Sequence, residues 1–376
     1  MLGIVVCIST YLEVGGLCML GKLPLKQLKQ ILEIINGYDD DSVYLKSGIG
    51  EDAGIIDTSK IKGFNGLMLV TADPITAATT KAGQIAIMIN ANDIAVSGGV
   101  PLYATLTVLM PKGATFDSVK EIMTDAKRSA DNLGIRIIGG HTEFTDAVTR
   151  PVISCSMIGK QDSYPLKTST AKAGEYIFVT DYIALEGTCI IANDYADRLV
   201  VAGKSANGSA GSKLGGSVNN NAGGSCNTFT KKEIEQAASL IDKICILDNC
   251  KTIIGLIKKN EIALTTLHDI TEGGVVGAIA ELCASSGVGA KVNLDEMPLL
   301  AITKRICEHL NLNPYKLISS GALLFTAKDK DSIISKLTKH GIKVAVVGQI
   351  TEKDLVFYKG GKTLALGLEG DEISKL

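Results

Sequence analysis

An acidic residue closes four apolar or glycine-rich segments in the first 150 residues of the chain. The first segment is a glycine-broken loop that carries two adjacent carboxylates, Glu51 and Asp52. The later three end on Asp73, Asp93 and Glu143. Carboxylate oxygens are the ligands that Mg²⁺ prefers, and a divalent cation screens the repulsion between carboxylates and a polyphosphate. The pattern therefore predicts a magnesium–phosphate site in the first half of the chain.

Size and composition favour a globular protein of two domains. The chain has 376 residues, 46% of them hydrophobic, and a net charge of −2. Domains commonly contain about 100–200 residues, so two are expected. The small net charge excludes the basic footprint of a nucleic-acid-binding protein. Nine cysteines without metal-finger spacing indicate reduced thiols and a cytoplasmic protein.

The first twenty residues are mostly apolar, but they do not form a membrane anchor. Glu13 interrupts the run, no basic segment precedes it, and a spanning helix needs about 20 apolar residues. Positions 19–24 resemble a natural start. Residues 1–20 are therefore interpreted as an N-terminal extension that is not native or is disordered, and no membrane partner is expected.

The pattern of segments divides the rest of the chain into two domains, 21–165 and 170–355. In the first domain strands and helices follow one another with returns, including helices at 25–35 and 116–133, which is typical of an α+β fold. In the second domain helices and strands alternate in an α/β manner. Within it, residues 203–227 are rich in Gly, Ser and Asn, so they predict a flexible surface insertion.

A nearly all-apolar segment from Lys81 to Ser97 predicts a buried helix. Asn90, Asp93 and Ser97 are spaced i, i+3 and i+7, so they share one helix face. Buried polar groups need partners. A bound cation or ligand is one such partner, and the N-terminus of a neighbouring helix is the structural alternative.

Two glycine pairs are candidates for phosphate contacts. Gly139 and Gly140 follow a predicted strand, where their N–H groups can approach a phosphate, although a simple tight turn is the alternative. His141 comes next and can donate to a phosphate or act as an acid or base.

The second pair, Gly273 and Gly274, follows His268 at a predicted helix N-terminus, with Thr271 as the predicted N-cap. The helix dipole makes this a candidate second anion site, and an ordinary helix start is the alternative.

Six motifs in order resemble the superfamily of aminoimidazole-ribonucleotide synthetase (AIR synthase, PurM) and the hydrogenase-maturation protein HypE. Selenophosphate synthetase and thiamine-monophosphate kinase are other branches. The motifs are Gly48–Ala53, Thr71–Pro74, Asn92–Gly99, Gly139–Glu143, His268–Gly274 and Ser319–Gly321. The HypE-like branch resembles the chain best, through Thr271–Gly274 and the segment 307–314.

The resemblance implies a PurM-like N-terminal domain whose sheet pairs into a barrel in a homodimer, and an α/β PurM-like C-terminal domain. It also implies ATP near the dimer interface and Mg²⁺ held by acidic residues. On this basis the predicted metal ligands are Asp52, Asp73, Asp93 and Glu143. The predicted nucleotide- or phosphate-binding residues are Gly50, Asn92, Gly139, Gly140, Thr142, Gly273 and Gly274. The catalytic candidates are His268, expected to face the acceptor, and His141.

Two departures from the family pattern qualify the expected reaction. HypE proteins carry a terminal cysteine that holds the carbamoyl group, whereas the last cysteine here is Cys307, so the HypE reaction on its own tail is not expected. Gln84 stands where many family members have Lys, which puts a cationic phosphate contact there in doubt.

The resemblance implies that Mg-ATP phosphorylates an amide or carbonyl oxygen of a small-molecule or protein-borne acceptor. Loss of phosphate would complete a dehydration or cyclisation, in the setting of hydrogenase or metallocentre maturation. Two alternatives stay open. One is a small-molecule kinase of the thiamine-monophosphate kinase type, which leaves the phosphate on its product. The other is a nucleotide-binding accessory protein without turnover.

Overall fold

The computed structural model describes residues 41–46, 48–51, 53–60, 66–161, 166–200, 229–368 and 370–376, together with positions 25 and 29. Four sequence predictions lie outside these residues. They are the extension 1–20, most of the helix 25–35, the insertion 203–227, and Asp52.

A six-stranded sheet forms the first domain. Its strands are β1 (Val43–Leu45), β2 (Gly54–Asp57), β3 (Leu67–Ile75), β4 (Val100–Pro111), β5 (Arg136–Thr145) and β6 (Val152–Gln161). Their order across the sheet is β1-β2-β3-β6-β4-β5. Every neighbouring pair is antiparallel except β4 and β5, which run parallel and leave β5 at one edge.

Two helices pack on this sheet, α1 (Ala82–Val96) and α2 (Phe116–Leu133). The side chain of Thr115 caps α2 by accepting from Ser118 N, and Gly134 ends it in the left-handed conformation. Gly83 allows the two helices to approach closely, because a Cβ there would lie 2.1 Å from the carbonyl oxygen of Ile122. The predicted bounds of α2 are confirmed.

The second domain contains a seven-stranded sheet. Its strands are β7 (Tyr176–Thr180), β8 (Thr266–Asp269), β9 (Gly289–Asn293), β10 (Leu323–Ala327), β11 (Val344–Thr351), β12 (Leu355–Lys359) and β13 (Lys362–Leu364), in the order β13-β12-β9-β11-β7-β10-β8. Its helices are α3 (Leu185–Asp194), α4 (Ala196–Leu199), α5 (Lys231–Ala238), α6 (Leu247–Lys258), α7 (Gly274–Ser286), α8 (Ala301–Leu310) and α9 (Lys330–Lys339).

Most strand pairs of this second sheet are antiparallel, and only β9 and β12 run parallel. The alternation of helices and strands that suggested an α/β domain is present along the chain. The sheet is nevertheless mostly antiparallel, since five of its six neighbouring strand pairs run in opposite directions. A mixed α+β fold therefore describes both domains.

Helix α1 is buried on nearly all sides because both domains pack against it. Leu185, Ile241 and Ile244 of the second domain belong to the same apolar cluster as the core of the first domain. Asn92 adds a polar link, since its amide donates to Ile244 O (2.9 Å) and accepts from Ile246 N (3.0 Å). No helix among the described residues combines the length and apolar content that crossing a membrane requires.

Candidate functional site

Asp73 and Asp93 form an acidic pair where α1 packs on the sheet. Thr71 Oγ1 on β3 donates to Asp93 Oδ2 at 2.6 Å. Asn90 accepts from the backbone N of Asp73 at 2.9 Å and donates to its carbonyl oxygen at 3.3 Å. Both carboxylates raise the pKa of the same thiol, that of Cys155. Burial first, and then the charges of Asp93 and Asp73, raise the pKa of Cys155 to about 12. The structure thus brings together two of the predicted metal ligands.

The polar stripe of α1 finds its partners on neighbouring strands. Asp93 Oδ2 accepts from Thr71 of β3, and the backbone carbonyl oxygen of Ser97 accepts from Gln161 of β6 at 2.7 Å. These partners come from the sheet and not from the N-terminus of a neighbouring helix. A cation at Asp93 stays a prediction.

The loop that carries Asp52 leads into β2, which pairs with β3. Gly54 at its end pairs with Val70 of β3, the strand that carries Asp73. Among the described residues, which exclude Asp52, no group of three His, Cys, Asp or Glu side chains is arranged to hold a metal ion. Asp73 and Asp93 supply two carboxylates. A cation site here therefore needs Asp52 or the oxygens of a phosphate as well.

The segment Gly139–Glu143 lies inside β5, whereas the sequence analysis ended the strand before Gly139. His141 Nε2 and Glu143 Oε2 lie 3.3 Å apart on one face of this edge strand, and both side chains are exposed. Thr142 pairs with Val108 of β4. The glycines continue the strand because their backbone groups join the ladder with β4.

Glu143 and the acidic pair do not meet within one chain. Asp73, Cys155, Leu106 and Gly140 lie in one row across β3, β6, β4 and β5. Three strand spacings of about 4.8 Å separate Gly140 from Asp73 by about 14 Å along the sheet. Mg²⁺ binds oxygen at about 2 Å. Within a single chain, Glu143 and Asp73 are therefore too far apart to bind the same ion, and the role of Glu143 as a metal ligand stays a prediction.

His268 is buried beside Glu281, a residue that the sequence analysis missed. The His268 ring lies on β8, with Nε2 3.4 Å from Glu281 Oε2 and Nδ1 4.0 Å from Asp269 Oδ1. The side chain of His268 is 3% exposed and that of Glu281 is 13% exposed. Glu281 is the more accessible member of the pair. An available signal was its position as the single charged residue in the apolar helix segment 275–283.

The loop that contains Gly50, in the first domain, contacts Glu281 of this pair. A Cβ on Gly50 would lie 3.3 Å from Glu281 Cβ and 3.2 Å from Thr168 Cγ2. The carboxylate of Glu51 accepts from Ser169 Oγ and, at 3.4 Å, from Thr168 N. Glu51 thus holds the start of the second domain instead of facing solvent. The loop thus contacts both domains. Gly54 at its end pairs with β3, the strand that carries Asp73, and Gly50 lies against Glu281 of the second domain.

The predicted second anion site already holds a carboxylate from the chain itself. Asp371 Oδ2 accepts from Gly273 N at 2.7 Å. Gly273 is the N-cap of α7, so the prediction of Thr271 as N-cap is wrong. Burial raises the pKa of Asp371 to about 6 and that of nearby Glu186 to about 7, and repulsion from Glu272 acts in the same direction on both.

Two other residues lie at the contact between the domains. Asn92, predicted to bind nucleotide, is fully buried, and both ends of its amide bond to the backbone of the second domain. Gln84, at the position of the family Lys, donates to Asp242 at 3.4 Å. The structure does not bring these two side chains to the acidic pair.

Two family models match the chain. The model of the AIR synthase related protein, N-terminal domain, matches residues 50–161, and that of its C-terminal domain matches residues 197–359. The chain belongs to the AIR synthase related proteins. The family predicted from the six motifs and the PurM-like two-domain fold are confirmed.

Individual proteins resemble this AIR synthase related protein along most of its length. A carbamoyl dehydratase HypE of Rhizobium leguminosarum bv. viciae is 18% identical over 368 residues, which cover 93% of this chain and 92% of that protein. HypE in a HypE–HypF complex has a TM-score of 0.63 at 17% identity, covering 90% of this chain and 98% of its own.

Two nucleotide complexes share the fold. HypE in complex with ATP has a TM-score of 0.58 at 15% identity, covering 84% of this chain and 91% of its own. AaThiL complexed with AMPPCP and TMP has a TM-score of 0.63 at 17% identity, covering 93% and 99%. The fold similarity to HypE and to ThiL is therefore equal.

Proposed function

We propose that the chain is an ATP-dependent enzyme of the AIR synthase/HypE class. Its Mg-ATP phosphorylates an amide or carbonyl oxygen of an acceptor. The observation that carries this proposal is the position of the Gly50 loop. It contacts Glu281 of the His268–Glu281 pair and leads into β2, which pairs with the strand that carries Asp73. Family membership and the ATP-bound neighbour of the same fold support nucleotide binding.

The acidic pair and Asp52 would hold Mg²⁺, which neutralises charge on the transferred phosphoryl group. The acceptor oxygen attacks the γ-phosphorus, the bond to the β-phosphate oxygen breaks, and ADP leaves. The phosphorylated oxygen then departs as inorganic phosphate when a neighbouring lone pair forms the new multiple bond or ring bond. The net change in the acceptor is the loss of the elements of water.

Glu281 is the group proposed to contact the acceptor, with His268 positioning it. The sequence analysis gave this contact to His268, but its ring is nearly inaccessible, whereas the Glu281 carboxylate beside it is partly exposed. A carboxylate next to an imidazole can accept a proton from an amide acceptor and then transfer that proton to the ring. This arrangement suits the deprotonation that dehydration of an amide requires.

Two copies of the chain would complete the site. Strand β5 is an exposed edge that carries Ile138 and Phe144, whose side chains are 60% and 50% exposed. Exposed strand edges with apolar side chains are normally covered. A homodimer that pairs these edges would place Gly139, Gly140 and the His141–Glu143 pair at the interface. If the purified protein sediments as a monomer, this part of the proposal fails.

The kinase alternative remains a second candidate, because AaThiL matches the fold as well as HypE does. A protein-borne acceptor is favoured by the HypE–HypF complex, in which the neighbour acts with a protein partner. The two reactions differ in the fate of the phosphate. Dehydration releases both ADP and inorganic phosphate. A kinase releases ADP and a phosphorylated product, without inorganic phosphate.

The deciding experiment follows ADP, inorganic phosphate and new mass peaks while the protein acts on metabolite and protein acceptor pools with Mg-ATP. Glu281→Gln should lower turnover by at least about 100-fold while ATP still binds, because a proton-transfer group typically contributes about 10²–10⁴. Glu308→Gln, at an exposed side chain on α8, is the matched control. Binding of Mg-ATP without turnover on any acceptor would favour the accessory protein instead.

A further inference from the structure

A cavity of about 490 Å³ opens between the two domains, away from the acidic pair. Its walls are α1 and α2 on one side, and α3, the end of α5 and the 3-10 turn Ser239–Lys243 on the other. Charged side chains in the lining are Lys81, Arg128 and Asp242. Lys81 precedes Asp93 by twelve residues, or about 18 Å along the helix. The cavity is thus separate from the proposed catalytic site.

One end of the cavity is cationic. Lys81 Nζ lies 3.2 Å from both carboxylate oxygens of Asp125, and Arg128 bonds to the same carboxylate. Asp125 is 4% exposed and lies behind the two cations, which it holds in place. Their side chains are 34% and 56% exposed, so both reach solvent. Ammonium and guanidinium groups have three and five donors, which leaves N–H groups for a carboxylate.

The opposite wall, from the second domain, is anionic because it carries Asp242. This carboxylate contacts α1 at Gln84, one helical turn after Lys81. Gln84 follows Lys81 by three residues, a rise of about 4.5 Å on the same face. Its amide contacts Asp242 at 3.4 Å, which is long for a hydrogen bond. A charged donor at normal distance would bind the Asp242 carboxylate more strongly than this amide does.

The floor of the cavity contains a polar atom without a partner. Ser129 lines the cavity and is 3% exposed, and its Oγ has no hydrogen-bond partner among the described residues. Such buried atoms are uncommon and call for a partner. Asp194 lies near this end, but its oxygens accept from Thr79 N (2.7 Å) and Thr80 N (3.0 Å), so it does not pair directly with Lys81 or Arg128.

We propose that this cavity binds a small zwitterion, with its carboxylate at Lys81 and Arg128 and its ammonium group at Asp242. The opposite charges of the two walls match the two charges of such a ligand. Two extended residues span about 7 Å, so a dipeptide with free termini carries its two opposite charges roughly that far apart. The volume lies in the range of small-molecule sites, about 300–1,000 Å³. The ligand would contact both domains, because the cations belong to the first and Asp242 to the second.

Three compounds test both ends of the site by titration calorimetry on the whole protein. They are glycylglycine, N-acetyl-glycylglycine, which lacks the ammonium group, and glycylglycine amide, which lacks the carboxylate. We expect glycylglycine to bind at least about tenfold more tightly than either blocked compound, since each loses one charge-assisted contact. The measurement needs neither nucleotide nor turnover, so it is independent of the proposed enzyme function.

Variants assign each preference to its wall. Asp242→Asn should abolish the preference over the N-acetyl compound alone, and Arg128→Met should reduce the preference over the amide alone. Lys127→Met is the control, because Lys127 is exposed, pairs with Asp131 and does not line the cavity. Equal affinities for the three compounds, no binding up to about 10 mM, or a variant that leaves its preference intact would each overturn the proposal.

Discussion

The two glycine pairs that the sequence analysis identified as phosphate sites lie in opposite surroundings. Gly139 and Gly140 extend an exposed edge strand, with nothing from the described residues covering their outer face. Gly273 and Gly274 start a buried helix, and the N–H of Gly273 is already bonded to Asp371. The same sequence signal thus corresponds to an open edge in one domain and a filled anion site in the other.

Packing requires one glycine in each pair. Gly140 has φ +151°, and a Cβ there would lie 2.0 Å from Leu106 O. Gly274 has φ +62°, and a Cβ there would lie 2.6 Å from Tyr315 O. Gly139, in contrast, has 3.9 Å of space. A Gly-Gly sequence therefore reports close backbone approach first, and ligand contact only where the surroundings leave the N–H groups free.

The largest expected effect contrasts Gly274 with Gly139. Gly274→Ala should lower the free energy of unfolding by about 3 kcal/mol, because it combines a left-handed backbone with a contact to carbonyl oxygen. Gly139→Ala should change it by less than about 1 kcal/mol. Urea denaturation of both variants measures the difference. Equal losses would show that the two pairs are under the same packing constraint.

The next effect concerns the buried acids around Gly273. Burial first, and then Asp371 and Glu272, raise the pKa of Glu186 from 4.5 to about 7. The folded state therefore binds more protons than the unfolded state, and stability is lost as pH rises through 7. From the size of the shift the loss is on the order of 3 kcal/mol.

Asp371, with its pKa raised to about 6, adds to the loss in the same direction. Denaturation between about pH 5 and about pH 8 should show the decline in the wild type and a flatter profile in Glu186→Gln. A profile that rises with pH in the wild type would contradict the assignment.

A smaller effect tests whether the second anion site is filled by Asp371. Asp371→Ala should cost about 1 kcal/mol of stability, because the N–H of Gly273 loses its carboxylate acceptor. Inorganic phosphate should then raise the melting temperature of the variant more than that of the wild type. Glu308→Gln, an exposed side chain that pairs with Lys304 on α8, is the matched control and should leave both readings unchanged.

The smallest effect concerns the exposed edge. His141→Ala should leave the melting temperature unchanged, since exposed ion pairs contribute little. If β5 forms part of a nucleotide site at a dimer interface, the same variant should raise the KM for ATP. An unchanged KM together with an unchanged sedimentation coefficient would remove His141 from the site.

Much of the fold could be predicted from the sequence because its signals are local. Helix α2 has the predicted bounds, since its periodicity, the Thr115 cap and Gly134 lie within the segment or directly beside it. The strand that contains Gly139 was cut short, because glycine is read as a break when no partner strand is known. Pairing with β4 overrides that local preference.

The candidate site was predicted only in part, because sequence signals are local and its contacts are not. Asp73 and Asp93 were identified because each follows an apolar run in a motif. Glu281 was missed because its significance depends on His268, thirteen residues away, and on Gly50 in the other domain. Single-sequence patterns do not encode which faces of two domains meet.

The sequence by itself determined the family, the acidic residues and most helices and strands, because those depend on motifs and on periodicity within short segments. The tertiary structure alone decided that Asp371 bonds to Gly273, 98 positions away, and that Gln84 reaches Asp242, 158 positions away. Such contacts arise when separate apolar faces pack into shared cores. Packing brings together charges that no local pattern links, and at Gly273 it placed a carboxylate where the sequence predicted an open anion site.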